Sequence, residues 1–365
     1  MINSVYLHYP FCLRKCGYCS FYSVEYNREI SKEYLKFIKQ EIKKYHQIVK
    51  IKPRTIYLGG GTPSLMDIED IQNVIELFDL SCLHEFTIEV NPATVNFAKL
   101  TAYRKCGINR ISFGMQSFID KELKLLGRLH NRQDNYQSFS LARDSGFNNI
   151  SCDLIYGLPN QEYKDLRFNL VKVIELKPEH VSMYCLSLED DAPLARNGTK
   201  LPNDEITAKF YRCIVETLVK AGYKHYEISN FSKQDFMSQH NLNYWKNGEY
   251  IGFGCSAHSY VDNYRYHNSS DLKSYYSEVL SKTIFPNKEK QDEAIKKKDF
   301  VIQGLRMTKG LDLESYKRSF REDFLTRYHK GIDKHKKFLK INNGYLKLTT
   351  EGFFVSNEII IDLID

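Results

Sequence analysis

Short apolar runs rich in β-branched and aromatic residues alternate with helical patterns over about the first 220 residues. The runs that predict strands are Ser4–His8, Thr55–Leu58, Glu85–Val90, Arg110–Phe113, Asn149–Ile155 and His180–Cys185. The segments that predict helices are Ser31–Lys50, Ile68–Asp79, Asn96–Cys106, Arg132–Ser145, Tyr163–Glu175 and Asp204–Ala221. This alternation predicts an α/β fold with a parallel sheet. Because a closed barrel needs eight such units, six units favour an open, partial (β/α)6 barrel.

The alternation fades after Gly222, where Tyr223–Asn230 predicts one more strand. From Asp292 the chain becomes helical and charged, and it ends in a strand-like Gly344–Thr350 and an apolar helix, Phe353–Leu363. We therefore expect a barrel over residues 1–222, an extension of it over 223–290, and a small helical or winged domain over 291–365.

Composition narrows the class of protein. The 365 residues are 42% hydrophobic and carry a net charge of +7. The densest basic run, Lys288 to Lys298, is interrupted by three acidic residues, which favours a solvated helix face over a nucleic-acid surface and leaves an anionic partner or a membrane surface as the alternative. No apolar run is long enough to span a bilayer, and the first residues do not form an export signal. Nine cysteines then indicate a reducing, cytoplasmic compartment.

Three of these cysteines, Cys12, Cys16 and Cys19, follow the first predicted strand with the spacing C-x3-C-x2-C. Three thiolates on one short loop can hold three irons of a cubane cluster and leave the fourth iron open to a small chelating molecule. The alternative is a structural zinc site completed by His8 or by a distant cysteine. The other six cysteines are predicted to be packed as small hydrophobic residues: Cys82, Cys106, Cys152, Cys185, Cys213 and Cys255.

Polar or glycine-rich segments follow several of the other predicted strands, where parallel sheets gather their ligand-binding loops. Gly59-Gly-Gly-Thr-Pro63 follows the second strand, and its exposed amides could bind a carboxylate. The single polar residues at such ends are Glu89, Gln116, Arg128 and Asp153. Each alone is equally compatible with a structural hydrogen bond, but together they predict a ligand site.

These motifs, together with Glu-Val-Asn-Pro92, Gly-Met-Gln-Ser-Phe118 and Asp-Leu-Ile-Tyr-Gly-Leu-Pro159, resemble the radical S-adenosylmethionine (SAM) proteins related to oxygen-independent coproporphyrinogen oxidase. The resemblance implies an open six-unit barrel and a [4Fe–4S] cluster whose open iron chelates SAM. It implies that Glu89 and Asp153 accept hydrogen bonds from SAM and that Arg128 offsets its carboxylate. The residues implied to contact SAM are Tyr6, Gly60, Gly61, Thr62, Glu89, Gln116, Arg128 and Asp153.

Three features distinguish the branches of this family. Phe21 stands where the decarboxylating oxidases carry a fourth cysteine, and the chain lacks their N-terminal extension. His240-Asn-Leu-Asn-Tyr-Trp245 is similar to the haem motif of HemW, the haem chaperone branch. That resemblance implies His240 as an axial iron ligand and Tyr244 and Trp245 as stacking residues. A packed aromatic turn is the structural alternative for this segment.

The function expected from the resemblance is a haem chaperone that binds haem and a SAM-ligated cluster and delivers haem to respiratory proteins at the membrane. One alternative is an oxygen-independent coproporphyrinogen III oxidase, and another is a radical SAM protein with a different substrate. The same resemblance implies a homodimer and a cytoplasmic protein, with peripheral membrane contact as an alternative. It implies no nucleic-acid partner, and it leaves open whether SAM is cleaved.

Overall fold

The computed structural model describes residues 1–190, 192–281 and 285–364. Its main sheet has nine strands, and the two outer strands do not pair with each other. Their order is β11 (Ile251–Phe253), β1 (Ile2–Tyr9), β4 (Ile51–Gly60), β5 (Glu85–Val90), β6 (Arg110–Gln116), β7 (Ile150–Tyr156), β8 (His180–Cys185), β10 (Asn230–Ser232) and β9 (Lys224–Glu227). The first seven strands in this order are parallel, and the six from β1 to β8 form the open barrel that the sequence predicts. Two short paired strands, β2 (Phe11–Cys12) and β3 (Val24–Glu25), flank the cysteine loop.

Six helices connect the parallel strands of the barrel, and two more follow β8. Their bounds are α1 Arg28–His46, α2 Ile68–Ile75, α3 Phe97–Lys105, α4 Asp120–Leu125, α5 Arg132–Asp144, α6 Tyr163–Leu176, α7 Pro193–Arg196 and α8 Asp204–Lys220. The first helix begins three residues earlier than the pattern predicts because the Asn27 side chain accepts from the amides of Glu29 and Ile30 and caps it.

The two faces of the parallel sheet differ in chemistry. Apolar residues such as Ile56 and Phe113 face the helices and form the core. The residues that alternate with them are mostly polar, as the two-residue period of a strand requires. The larger members of this polar face are Tyr6, His8, Tyr57, Glu85, Glu89, Arg110, Asp153 and His180. The barrel therefore has a polar interior.

Beyond α8 the chain adds to both edges of the barrel. The segment predicted as one strand, Tyr223–Asn230, is instead an antiparallel hairpin of β9 (Lys224–Glu227) and β10 (Asn230–Ser232). It turns because the Glu227 carboxylate accepts the Ser229 amide at 2.9 Å. The elements that follow are α9 (Gln239–Trp245), β11 (Ile251–Phe253), β12 (His258–Val261), β13 (Tyr264–His267), α10 (Leu272–Leu280) and β14 (Glu289–Lys290).

A small C-terminal unit combines helices with a three-stranded sheet, as the sequence predicts. Its elements are α11 (Glu293–Arg306), β15 (Leu311–Asp312), α12 (Leu313–Phe320), α13 (Phe324–Arg327), α14 (His329–Lys334), β16 (Leu339–Asn342), β17 (Tyr345–Leu348), α15 (Thr350–Phe354) and α16 (Ser356–Ile364). The predicted single helix Phe353–Leu363 is divided at Val355. In the described parts of the chain, no helix has the length and apolarity to cross a membrane.

Candidate functional site

A cavity of about 540 Å³ lies at the carboxyl ends of the parallel strands. Its volume is in the usual range for a small-molecule or cofactor site. Ten of the residues predicted to bind a cluster or SAM line it together: Cys12, Cys16, Cys19, Gly60, Gly61, Thr62, Glu89, Gln116, Arg128 and Asp153. Residues up to 141 positions apart in the chain therefore converge on one site.

Two of the three motif sulfurs have hydrogen-bond donors from other loops. The Thr62 hydroxyl lies 3.6 Å from the Cys12 sulfur, and an Arg128 guanidinium nitrogen lies 3.3 Å from the Cys16 sulfur. Burial raises the pKa of the Cys12 and Cys19 thiols in the free protein. Because a metal ligand must be a thiolate, these donors fit sulfurs that carry negative charge.

The glycine turn packs against the cysteine loop. A Cβ on Gly61 would lie 2.7 Å from the Phe11 carbonyl oxygen and 2.9 Å from the Cys12 sulfur, so only glycine fits there. The Gly61 amide donates to the Tyr9 carbonyl and the Gly60 amide to Glu89. Both amides are therefore used inside the chain, and the expectation that they bind a ligand carboxylate is wrong for these two positions.

Two carboxylates face the cavity from the barrel interior. Glu89 accepts from the Tyr57 hydroxyl at 2.9 Å and from the Gly60 amide at 3.1 Å, and its burial raises its pKa to about 7. Asp153 accepts from Ser112 at 2.8 Å and Ser151 at 3.0 Å, and burial raises its pKa as well. In their ionised forms, these two carboxylates would attract a cationic ligand.

Arg128 is committed within the protein. Besides Cys16, its guanidinium donates to the Gly114 carbonyl at 3.0 Å and to the Asn91 side chain, while its buried Nε has no partner in the described residues. Gln116, on the same strand as Gly114, adopts a left-handed backbone at φ 63°. The pairing of β6 with β7 is irregular at this point, between Phe113 and Gln116.

Tyr6 is the one predicted SAM residue that does not line the cavity. Its hydroxyl lies 2.9 Å from His8 Nδ1, and its ring stacks on the ring of Tyr57. Tyr57, on the neighbouring strand, does line the cavity. The sequence analysis missed Tyr57, although the alternation Thr55, Tyr57, Gly59 along one strand was a signal for it. His8, the alternative zinc ligand, does not line the cavity with the three thiols.

The six remaining cysteines differ in burial, and Cys106 is partly buried. Cys152, Cys213 and Cys255 are buried as predicted. Cys82 and Cys185 are exposed, so the packing prediction is wrong for them, and Cys185 lines the cavity because it ends β8. Phe21, at the position where the resemblance to the oxidases leads one to expect a fourth cysteine, also lines the cavity and is 69% exposed.

The haem motif forms α9, whose buried residues are His240 and Leu242. It follows the six parallel strands in the chain and packs against β4. His240 is 1% exposed, with Nδ1 at 2.9 Å from Thr55 Oγ1 and 3.1 Å from Ser4 Oγ. Its Nε2 lies 2.8 Å from the Tyr244 hydroxyl. Both ring nitrogens are engaged, so the geometry offers no free nitrogen to an iron.

Trp245 is partly buried, with the Arg306 guanidinium 4.4 Å from its ring. Its predicted role of stacking on haem stays a prediction. Tyr244, also partly buried, packs edge to face on Tyr250 at 4.6 Å. The motif is thus an aromatic helix packed against the barrel.

The chain matches two protein-family models and several curated relatives. Residues 6–168 match the Radical SAM superfamily and residues 297–355 the HemN C-terminal domain. The heme chaperone HemW of Lactococcus lactis is 34% identical, over 98% of this chain and 96% of the relative. This chain belongs to the HemW family. HemW of Bacillus subtilis is 32% identical with 98% of each chain covered, and HemW of Escherichia coli is 36% identical over 71% of this chain and 70% of the relative.

The fold has a solved counterpart outside the HemW family. Coproporphyrinogen III oxidase (HemN) from Escherichia coli superposes with a TM-score of 0.87, covering 99% of this chain and 90% of that one, at 22% sequence identity. This likeness establishes the radical SAM fold and the C-terminal unit. At this identity it does not carry the oxidase activity over.

The donor set fits the group that the radical SAM family uses. Within residues 1–190, 192–281 and 285–364, no three His, Cys, Asp or Glu side chains converge on a site for a single metal ion. A cubane instead distributes its thiolate ligands over separate irons. The three thiols share one cavity, two of their sulfurs receive donors, and Gly61 leaves free the space that a Cβ would fill beside Cys12.

Proposed function

We propose that Cys12, Cys16 and Cys19 hold a [4Fe–4S] cluster and that SAM occupies the remainder of the cavity. When bound, the cluster would supply an open iron and an electron. Glu89 and Asp153 would face the positive charges of SAM, and Thr62 and Arg128 would stabilise the thiolates. The observation that carries the proposal is the convergence of three thiols, two buried carboxylates and the glycine turn on one cavity.

We infer further that this HemW-family member binds haem and passes it to respiratory haemoproteins at the membrane. Near-complete coverage of relatives named heme chaperones supports this function. Phe21 at the cavity mouth supports it over oxidation of coproporphyrinogen III, since a phenyl ring cannot move a proton. Because both nitrogens of His240 are engaged, haem binding does not rest on that residue as iron ligand.

Parallel assays of one preparation test this function. Anaerobically reconstituted protein should give a saturable Soret band on titration with haem and should transfer haem to a haem-free b-type cytochrome in membrane vesicles. The same preparation should form no protoporphyrinogen IX from coproporphyrinogen III with SAM and dithionite. Robust turnover, or a failure to bind haem, would overturn the chaperone function.

Cys185 allows a further test of the oxidase alternative. Phe21 carries no thiol, but the Cys185 thiol lines the same cavity and could take the place of the missing one. Cys185→Ser should leave haem binding and transfer unchanged. Turnover of coproporphyrinogen III that disappears in Cys185→Ser would identify this thiol as the replacement for the missing one and would favour the oxidase.

A further inference from the structure

The helix α9 is connected to the SAM cavity through Tyr57. The His240 ring packs on the Tyr57 ring with 5.2 Å between centroids, and Tyr6 stacks on Tyr57 at 6.2 Å. The Tyr57 hydroxyl reaches past both rings and donates to Glu89. A side chain of the aromatic motif therefore lies directly behind the residue that orients the cavity carboxylate.

His240 is itself held from several strands. Its ring contacts Ser4 on β1 and Thr55 on β4, and its amide donates to Glu85 on β5 at 3.0 Å. Tyr244, one helical turn further along α9, places its hydroxyl 2.8 Å from the other ring nitrogen, Nε2. A buried polar side chain with all of its polar atoms satisfied is rigid and specifies one geometry.

The ring is also in a fixed charge state. Burial, assisted by the nearby Arg110 guanidinium, lowers the pKa of His240 to about 3. A neutral imidazole has one donor and one acceptor nitrogen, and hydroxyl groups, which can donate or accept, lie beside both: Ser4 and Thr55 at Nδ1 and Tyr244 at Nε2. These features suit a permanent packing platform rather than a ligand that exchanges partners.

We propose that His240 and Tyr244 position Tyr57, and through it the Glu89 carboxylate, for SAM, instead of contacting haem. The inference rests on the proposed function in one respect, namely that Glu89 contacts SAM. His240 and Tyr244 are then positioning residues, whereas Tyr57 contacts the cavity. The motif that marks the haem chaperone branch would act on the radical SAM site.

Titrations with SAM and with haem separate the two roles of the motif. The variants are Tyr57→Phe, which deletes the donor to Glu89; His240→Gln, which keeps hydrogen-bonding atoms but removes the ring; and Tyr244→Phe, which deletes the partner of His240 Nε2. The control is Tyr103→Phe, because Tyr103 is fully buried and its hydroxyl has no partner among the described residues. SAM binding is read from the EPR spectrum of the dithionite-reduced cluster, and haem binding from the Soret band.

We expect Tyr57→Phe to weaken SAM binding about tenfold, since a hydrogen bond to a charged group is lost. His240→Gln and Tyr244→Phe should weaken it several-fold, and the control should not change it. Haem affinity and iron content should stay at the wild-type level in all four variants. If His240→Gln fails to fold, Tyr57→Phe and Tyr244→Phe still decide the result.

Unchanged SAM affinity in Tyr57→Phe and Tyr244→Phe would overturn the inference, and so would loss of haem binding with unchanged SAM binding in His240→Gln. The second result would restore His240 as the iron ligand. If the wild-type protein showed no response to SAM, the proposed function would fail together with the inference. Failure of the inference alone is thus distinguishable.

Discussion

The Arg128 guanidinium donates to the Cys16 sulfur across 3.3 Å, although 112 residues separate them in the chain. The arginine follows α4, and the loop that carries it is tied to the cysteine loop by the Gly17 amide, which donates to the Leu126 carbonyl at 3.0 Å. This relationship fixes a positive charge beside one of the predicted cluster thiolates. The predicted pairing of Arg128 with the SAM carboxylate stays a prediction, since the arginine also lines the cavity.

A substitution at Arg128 should therefore change the cluster before it changes SAM binding. In Arg128→Gln, the loss of a cation near a cluster sulfur should make the reduction potential more negative, because reduction adds negative charge. The control is Arg132→Gln, since Arg132 is an exposed residue paired with Asp120. Spectroelectrochemical titration measures the potential, and an unchanged value in Arg128→Gln would contradict this role.

The Glu89 carboxylate predicts a pH dependence of SAM binding. Its pKa is raised to about 7, so it is largely protonated at pH 6, and a cationic ligand favours the ionised form. The affinity for SAM should therefore rise by up to about fivefold between pH 6 and 7 and by up to about tenfold between pH 6 and 8, and then level off. The titratable groups around Glu89 are Tyr6, Tyr57, Arg110, Asp153 and Tyr184.

Two variants test whether Glu89 is the group that causes this pH dependence. Glu89→Gln should bind SAM weakly and with a flat profile over the same range. Tyr57→Phe should move the midpoint to higher pH, because its hydroxyl stabilises the ionised carboxylate. An equally steep rise in Glu89→Gln would assign the titration to another group.

Gly61 predicts a steric effect on the cluster loop. Gly61→Ala would place a methyl group 2.7 Å from Phe11 O and 2.9 Å from Cys12 Sγ, and overpacking of this kind costs about 1–3 kcal/mol. We expect most of the iron to be lost on reconstitution. Gly107→Ala is the control, since its φ of 87° makes alanine strained but nothing lies within 4 Å. Equal iron content in both variants would argue against the contact.

Arg110 predicts a large effect on stability. Its side chain is 2% exposed within the barrel, and its charge lies close to Glu85 and Asp153. Arg110→Met would leave buried carboxylates without a cation, which costs roughly 3–5 kcal/mol. Urea unfolding measures the loss in the free energy of unfolding. The control is Arg132→Met, an exposed position, whose free energy of unfolding should lie within about 0.5 kcal/mol of the wild-type value. A small effect at Arg110 would show that these carboxylates are protonated in the fold.

The sequence predicts most of the barrel because its strands and helices differ in period. Glu85–Val90 and His180–Cys185 have the predicted bounds. The motif residues on strand ends also converge, since parallel strands gather their carboxyl ends on one edge. The cysteine loop follows the first strand and reaches the same edge.

Other features depend on contacts between distant segments, which periodicity does not contain. The hairpin of β9 and β10 is fixed by the Glu227 side chain, and the exposure of Cys185 by its place at a strand end. The burial of His240 depends on Ser4 and Thr55, more than 180 residues away. A resemblance to a haem motif therefore located an important segment but not the contacts its histidine makes.

The most direct test of the account is the cluster itself. Anaerobically reconstituted wild-type protein should contain iron and sulfide in equal amounts, and SAM should perturb the EPR spectrum of its reduced form. Replacing Cys12, Cys16 and Cys19 together by alanine should abolish both, whereas replacing Cys82, Cys106 and Cys185 together should preserve them. Unchanged iron and sulfide in the first triple variant, or tightly bound zinc in place of iron in the wild type, would contradict the account.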